Sequence, residues 1–234
     1  MSANSAAASR PDVGVLIPAA GRGGRAGPGT PKQFRPIGGV PMLLRAIRPF
    51  ARHAAVRSIV IALPEDHAAA PPDWLAEVLG DRLAVVPGGA TRTASVRAAL
   101  AGLDPRCTVV LVHDAARPFV SADEIDAVIA AAGRGTGAVP ALPVADTLKR
   151  SSDGRSVEST VSRNGLWRAL TPQGFPRAML EAAFRGGPPD AEATDDAALV
   201  EAAGGTVVLV AGSTTNFKVT TDADFQLAEL VAVR

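Results

Sequence analysis

Cysteine is all but missing: Cys107 is the only one in 234 residues. No internal disulfide can form, and a reducing compartment, the cytoplasm, is expected. Cys107 precedes the apolar run Val109 to Val112, where a small buried thiol is the natural reading and a nucleophile is not. Equally missing is any apolar run near the roughly 18 residues of a membrane span, so no membrane partner is expected. Neither charge dominates, with 24 Lys and Arg against 23 Asp and Glu and a net charge of +1. A general nucleic-acid binder carries a basic excess; none is present, and any anion binding must come from local clustering. The opening MSANSAAASRPD lacks the apolar segment of a secretory signal and reads as a disordered tail over residues 1–12. His113 has no second His or Cys nearby, which favours a structural role over metal ligation.

What is present describes an ordinary globular chain, 47% hydrophobic and 20% charged. Its length suffices for one domain with a full core, residues 13–234. Apolar runs at Val13 to Ile17, Ile59 to Leu63, Leu83 to Val86 and Thr108 to Val112 read as buried strands. Helical patterns separate them: from Pro41 to about Ala55, kinked or stopped near Pro49; after Pro71-Pro72; and from Thr93 to Leu103. Ser121-Ala-Asp-Glu124 is a capping box ahead of Ile125, Val128 and Ile129. This alternation predicts an α/β fold with a three-layer, mostly parallel sheet flanked by helices, with ligands at the carboxyl ends of the strands. After Ala138 the pattern changes. Residues from about Val144 to Leu170 are polar, with turn signals at Ser151-Ser-Asp-Gly154 and Asn164-Gly165, and suggest a protruding β-hairpin arm. Helices resume near Pro176 and Thr194, followed by a strand from Thr206 to Val210 and a closing helix capped by Thr221 or Asp222.

The stretch after the first strand, GRGGRAGPGTP at 21–31 followed by Lys32, cannot be a helix interior. Glycines after a strand let backbone N–H groups approach an anion, and arginines add charge. A Walker A loop needs Gly-Lys-Ser/Thr, whereas Lys32 lies between Pro31 and Gln33. Gly21-Arg-Gly23-Gly-Arg-Ala26 matches the dinucleotide pattern, but Pro28, Gly29 and Pro31 stop the helix that pattern requires. Its acidic residue is also absent, since nothing acidic occurs between Asp12 and Glu65. Two readings stay open, a polyphosphate grip and a plain surface turn. Asp114 in Val112-His-Asp-Ala-Ala-Arg-Pro118 emerges at the same edge; it could hold a metal or a ribose hydroxyl, with Mg²⁺ suited to carboxylate plus phosphate ligands. It could equally cap a helix or pair with Arg117. Gly88-Gly89 with Thr91, Arg92, Thr93 and Ser95 offers a further tight turn, one that caps the helix or faces a base.

Pro18-Ala-Ala-Gly-Arg-Gly-Gly-Arg25, Pro31-Lys32-Gln33 and Val112-His-Asp-Ala-Ala-Arg-Pro118 resemble the methylerythritol-phosphate cytidylyltransferases of non-mevalonate isoprenoid synthesis. So do Asp146-Thr-Leu-Lys149, Arg163-Asn-Gly-Leu-Trp167, Leu170-Thr-Pro-Gln173, Thr194-Asp195 and Phe217-Lys-Val-Thr220. The resemblance implies a nucleotide-diphospho-sugar transferase-like fold and transfer of CMP from CTP to 2-C-methyl-D-erythritol 4-phosphate, with Mg²⁺ as cofactor and pyrophosphate released. It places Arg25 and Lys32 on the CTP phosphates as the catalytic pair. Ala19, Ala20, Gly21, Gly89 and Ser95 would line the nucleotide pocket, with Asp114 and Arg117 on its ribose and metal side. Thr147, Arg163, Thr171, Thr194 and Lys218 would surround the polyol phosphate. It further implies a homodimer clasped by the arm at about 144–170. Two positions depart from the family pattern: Ala90, where some members carry an acidic residue, and Ser162, where an Asp is common. Alternatives are a cytidylyltransferase for another polyol phosphate, such as ribitol 5-phosphate, and a non-catalytic nucleotide-binding relative.

Overall fold

The computed structural model describes residues 12–21, 31–186 and 193–233. Residues 1–11 of the expected tail lie outside these. Asp12 already belongs to the fold: its carbonyl accepts from Thr108 N at 2.9 Å, and its carboxylate pairs with Arg57 at 2.9 Å.

The first half alternates strand and helix as the apolar pattern requires: β1 (Val13–Pro18), α1 (Met42–Arg52), β4 (Val56–Leu63), α2 (Glu65–Ala69), α3 (Asp73–Leu79), β5 (Leu83–Pro87), α4 (Arg92–Ala101), β6 (Val109–Val112) and α5 (Ala122–Gly133). Among the described residues between β1 and α1 lie the 3-10 turn Lys32–Phe34 and a short hairpin of β2 (Pro36–Ile37) and β3 (Val40–Pro41). The second half contributes β7 (Gly137–Pro143), β8 (Leu148–Arg150), β9 (Ser159–Val161), β10 (Trp167–Ala169), β11 (Gln173–Pro176), α6 (Arg177–Gly186), α7 (Asp196–Ala202), β12 (Val207–Ala211) and α8 (Asp222–Ala232). One eight-stranded sheet runs β10-β7-β11-β6-β1-β4-β5, with β12 also paired to β7. Only β10 and β11 oppose the remaining strands, so the sheet is mostly parallel.

Alternation along the strands builds two cores. Val13, Val15 and Ile17 of β1 face α1 and α5, through Leu43, Ile47, Phe50, Ile125 and Val128. Leu16 faces α4, α6 and α7, through Val96, Leu100, Leu180 and Val200. Side chains of a strand alternate between faces, so one apolar run serves both layers. Cys107 belongs to the second core, and burial pushes its thiol up to about 11. A third, smaller cluster of Ile37, Met42, Val219, Phe225 and Ala228 joins the β2–β3 hairpin to α8.

Three expectations are corrected. The helix from Pro41 does not stop at Pro49; it runs unbroken to Arg52. Proline removes one intrahelical bond, and burial of Ile47 and Phe50 on either side outweighs it. The excursion expected at 144–170 is smaller: β8 and β9 pair only with each other, while Trp167–Ala169 returns to the main sheet against β7. Third, β7 occupies residues for which the sequence pattern predicts no strand. Pro140 accounts for this, because proline is rare inside sheets. In an extended strand N and O of one residue point the same way. Pro140 O accepts from Leu170 N at 2.7 Å, so its missing N–H removes one bond on that side while β12 pairs along the strand.

Candidate active site

The exits of β1, β5 and β6 fall on one edge of the sheet and enclose a cleft of about 650 Å³. Ala19, Ala20 and Gly21 line it after β1; Gly89, Arg92 and Ser95 after β5; Asp114 after β6. Lys32 and Gln33 of the 3-10 turn and Lys218 and Thr220 ahead of α8 close its sides. Ligand sites of parallel sheets lie at this edge, and the cleft collects eight of the residues expected there: Ala19, Ala20, Gly21, Lys32, Gly89, Ser95, Asp114 and Lys218. Arg25 lies outside the described residues.

Glycine sets how closely the first two exits approach. A Cβ on Gly88 would sit 2.2 Å from Cβ of Ala20, and one on Gly89 2.4 Å from Cβ of Ala94. Ser95 then braces the turn: its Oγ accepts from Gly89 N at 3.1 Å and donates to Thr91 O at 3.0 Å. Thr91 caps α4 by accepting from Ala94 N at 3.0 Å. On the opposite side Gln33, itself buried, donates Nε2 to Ala19 O at 2.8 Å. Ala19 N donates to Ala62 O at 2.8 Å. Both backbone groups of Ala19 are thus bonded, and Gln33 ties the Lys32 turn to the end of β1.

Asp114 is the carboxylate of the cleft, and cations surround it. Oδ1 accepts from Arg92 Nε at 3.1 Å and Oδ2 from Lys218 Nζ at 2.8 Å, with Arg117 Nε 4.0 Å away. Burial alone would raise its pKa, but Arg92 and Lys218 outweigh burial and hold the carboxyl well below the usual carboxylate range. An arriving Mg²⁺ would meet a cation on each oxygen. Among the described residues no group of three or more His, Cys, Asp or Glu gathers to hold a metal. Asp114, expected on the metal side of the pocket with a direct or an indirect part, has both oxygens engaged by cations, which favours the indirect one.

Arg117, expected on the ribose and metal side, lies behind Asp114. It is buried, donating Nη1 to Asn216 O at 2.8 Å and Nη2 to Ala169 O at 3.4 Å. It backs Asp114 and takes no part in lining the cleft. Burial lowers its pKa. Thr171, expected beside the polyol phosphate, is only 4% exposed. Its hydroxyl accepts from Asp114 N at 3.1 Å and lies 3.0 Å from His113 Nδ1. Nε2 of that histidine lies 3.0 Å from Arg117 O; a carbonyl can only accept, so Nε2 carries the proton and Nδ1 accepts from Thr171. His113 is fully buried, and burial drives its pKa down to about 4. The structural role expected for His113 is the one seen.

The remaining polyol-phosphate candidates are dispersed in a single chain. Thr147 and Arg163 are exposed, flanking the β8–β9 hairpin, where Arg163 Nη1 donates to Ala145 O. Thr194 is exposed in the bend before α7. Gln33 and Arg92 also line the cleft, though neither stood among the expected site residues. Gln33 follows Lys32 directly, and Arg92 opens α4 directly after Thr91; only their adjacency to the expected residues marked them in the sequence.

The family profile described as "2-C-methyl-D-erythritol 4-phosphate cytidylyltransferase" matches residues 13–234. A protein of that name from Salinibacter ruber is 49% identical over 219 residues, covering 93% of this chain and 91% of its own. One from Streptomyces coelicolor is 46% identical over 230 residues, covering 94% and 84%. The crystal structure of the Thermus thermophilus 2-C-methyl-D-erythritol 4-phosphate cytidylyltransferase superposes with a TM-score of 0.77 at 40% identity, over 95% of this chain and 100% of that one.

Proposed function

The chain belongs to the 2-C-methyl-D-erythritol 4-phosphate cytidylyltransferase family, and on that premise we propose how its cleft works. The enzyme is a nucleotidyltransferase that moves CMP from CTP to 2-C-methyl-D-erythritol 4-phosphate, with loss of pyrophosphate, in isoprenoid precursor synthesis. A phosphate oxygen of the acceptor attacks the α-phosphorus; that O–P bond forms as the bond from the α-phosphorus to the bridging oxygen breaks, and the electron pair leaves on pyrophosphate. The attacking oxygen is already anionic at neutral pH, so no general base and no protein nucleophile is needed. Buried His113 and Cys107 accordingly stay outside the chemistry.

Catalysis then reduces to positioning and to compensating the charge that builds up on the phosphorus oxygens. In this reading Lys32, with Arg25, supplies that charge at the nucleotide phosphates. Lys218, held by Asp114 on the facing wall, steadies the acceptor phosphate. Mg²⁺, when bound, would offset charge on the nucleotide phosphates, and Asp114, whose oxygens are engaged by Arg92 and Lys218, would meet it only indirectly. Cytosine is read at the Gly89 turn, which Ser95 keeps narrow.

Thr147 and Arg163 are assigned to the acceptor site of a second copy of the chain. Supporting this, the β8–β9 hairpin pairs only with itself, and Val157, Leu166 and Trp167 on or beside it are 64%, 39% and 50% exposed. A lone two-stranded hairpin is marginal in water, and a twin arm would cover it. No helix among the described residues is long and apolar enough to cross a membrane.

The observation that carries the reading is the convergence of Lys32 and Lys218 on one glycine-floored cleft. Pyrophosphate release from CTP with each polyol phosphate tests it. Turnover is expected with 2-C-methyl-D-erythritol 4-phosphate, and equal kcat/KM with ribitol 5-phosphate would transfer the reading to another polyol.

A further inference from the structure

Arg92 occupies the first turn of α4 and lines the cleft between Thr91 and Asp114. It spans two carboxylates on elements distant in sequence. Nε donates to Asp114 Oδ1 at 3.1 Å, and Nη1 stands 2.8 Å from Asp196 Oδ2. Asp196 opens α7, immediately after Thr194-Asp195, and its side chain is 1% exposed. Neither of its carboxylate oxygens accepts a hydrogen bond of good geometry among the described residues. Arg92 is therefore the cation that compensates a buried carboxylate, while its own side chain remains 27% exposed toward the cleft.

A guanidinium can serve both acids because its N–H groups form a rigid planar fork; a lysine ammonium is a single point charge. The consequence reaches Lys218. With Oδ1 of Asp114 engaged by Arg92, the carboxylate is shared, and Lys218 holds only Oδ2 at 2.8 Å. Remove Arg92 and the full carboxylate charge falls on Lys218, drawing its ammonium away from an incoming phosphate. The same removal strips a buried carboxyl of its cation: burial already raises the pKa of Asp196 against the pull of Arg92, so without that cation the acid either stays charged and unpaired or takes up a proton, and both cost stability.

We propose that Arg92 is a positioning residue for the acceptor phosphate: by bridging Asp114 and Asp196 it sets the Asp114–Lys218 pair on the cleft wall and fastens the start of α7 to the same point. The proposal rests on the assignment of this cleft as the site of cytidylyl transfer.

The test separates this role from simple neutralisation of Asp196. Arg92→Met should lower the thermal midpoint by roughly 10 °C through the orphaned carboxylate. Arg92→Met combined with Asp196→Asn removes both partners and should recover most of that loss. Despite the recovered stability, the double variant should show a KM for 2-C-methyl-D-erythritol 4-phosphate raised roughly tenfold or more relative to Asp196→Asn alone, the size of a lost charge-assisted hydrogen bond. The KM for CTP should move far less. Arg92→Lys, which can face only one acid, should fall between the two. A stable double variant with the acceptor KM of Asp196→Asn overturns the proposal, leaving Arg92 a counter-ion. A rise confined to the KM for CTP also overturns it, since Arg92 would then bind triphosphate directly. Wild-type protein that releases no pyrophosphate with any polyol phosphate overturns the assignment of the cleft, and the proposal with it; wild-type turnover beside an unaffected double variant overturns the proposal alone.

Discussion

Replacing Lys32 by alanine removes a cation from the rim of the cleft without disturbing Gln33, whose bond to Ala19 O keeps the turn attached to β1. Because its charge is needed most when negative charge accumulates on the phosphorus oxygens, kcat should fall about 10²-fold or more while the KM for CTP changes less. Arg25→Ala should behave alike. Steady-state kinetics in both substrates checks this, and a normal kcat with a raised KM would give these residues a binding role only. Ser95→Ala acts differently. It deprives Gly89 N of its acceptor and loosens the turn, so the ratio of kcat/KM for CTP over UTP should drop more than kcat does. His113 predicts an acid limit. Its pKa is depressed from 6.5 to about 4, so between those values the unfolded chain takes up a proton that the native state refuses. Stability is unaffected above pH 6.5 and declines as the pH falls toward 4, by roughly 3 kcal/mol across the window. Asp114 acts at lower pH: its depressed carboxyl adds stability that is complete above the ordinary Asp pKa of 3.8 and lost only below it. Thermal midpoints at pH 7.5 and 5 should therefore differ, and His113→Gln should show the smaller difference.

Among the elements, those the chain announces most clearly are those whose pattern and burial agree. The strands β1 and β6 and the Ile59–Leu63 part of β4 are continuous, buried apolar runs because helices cover both faces, and the α5 capping box is realised in both directions between Ser121 and Glu124. The strand β7 was illegible for a local reason: Pro140 and Pro143 contradict a strand reading, yet β12 pairing supplies the ladder. Gly-Gly at 88–89 could be read as a tight turn but not as the point where two strand exits nearly touch, since Ala20 lies 68 residues earlier in the chain (88 minus 20). For the same reason the commitment of Thr171 to His113, 58 residues away, had no signature in its neighbours. Gly88→Ala tests the close approach. The added methyl meets Cβ of Ala20 at 2.2 Å, and neither atom can rotate aside. Loss of about 1–3 kcal/mol of stability together with a raised KM for CTP is expected, whereas a neutral outcome in both would show that the two exits move apart freely.

The assembled enzyme should be active as pairs of chains. Mixing inactive Arg25→Ala with inactive Arg163→Ala protein, under conditions where subunits exchange, should restore activity toward half per mixed dimer, because one site then carries both defects and the other none. Demonstrated exchange without recovery would return Arg163 to its own chain. A different property follows from the small cluster that joins the β2–β3 hairpin to α8. Arg35, one residue beyond the Lys32–Phe34 turn, pairs with Asp222 at 3.0 Å across 187 residues and lies 3.9 Å from the Phe225 ring centroid; Val219 beside Lys218 is buried in the same cluster. During synthesis the first strands leave the ribosome long before their partner helix, and at about 5–20 residues per second the interval is on the order of ten seconds or more. Throughout that time the nascent chain has the wall bearing Lys32 but not the one bearing Lys218. The two walls of the cleft face each other only once nearly the whole polypeptide has emerged, so a ribosome that stalls before Phe225 leaves a chain with much of its sheet and no working cleft.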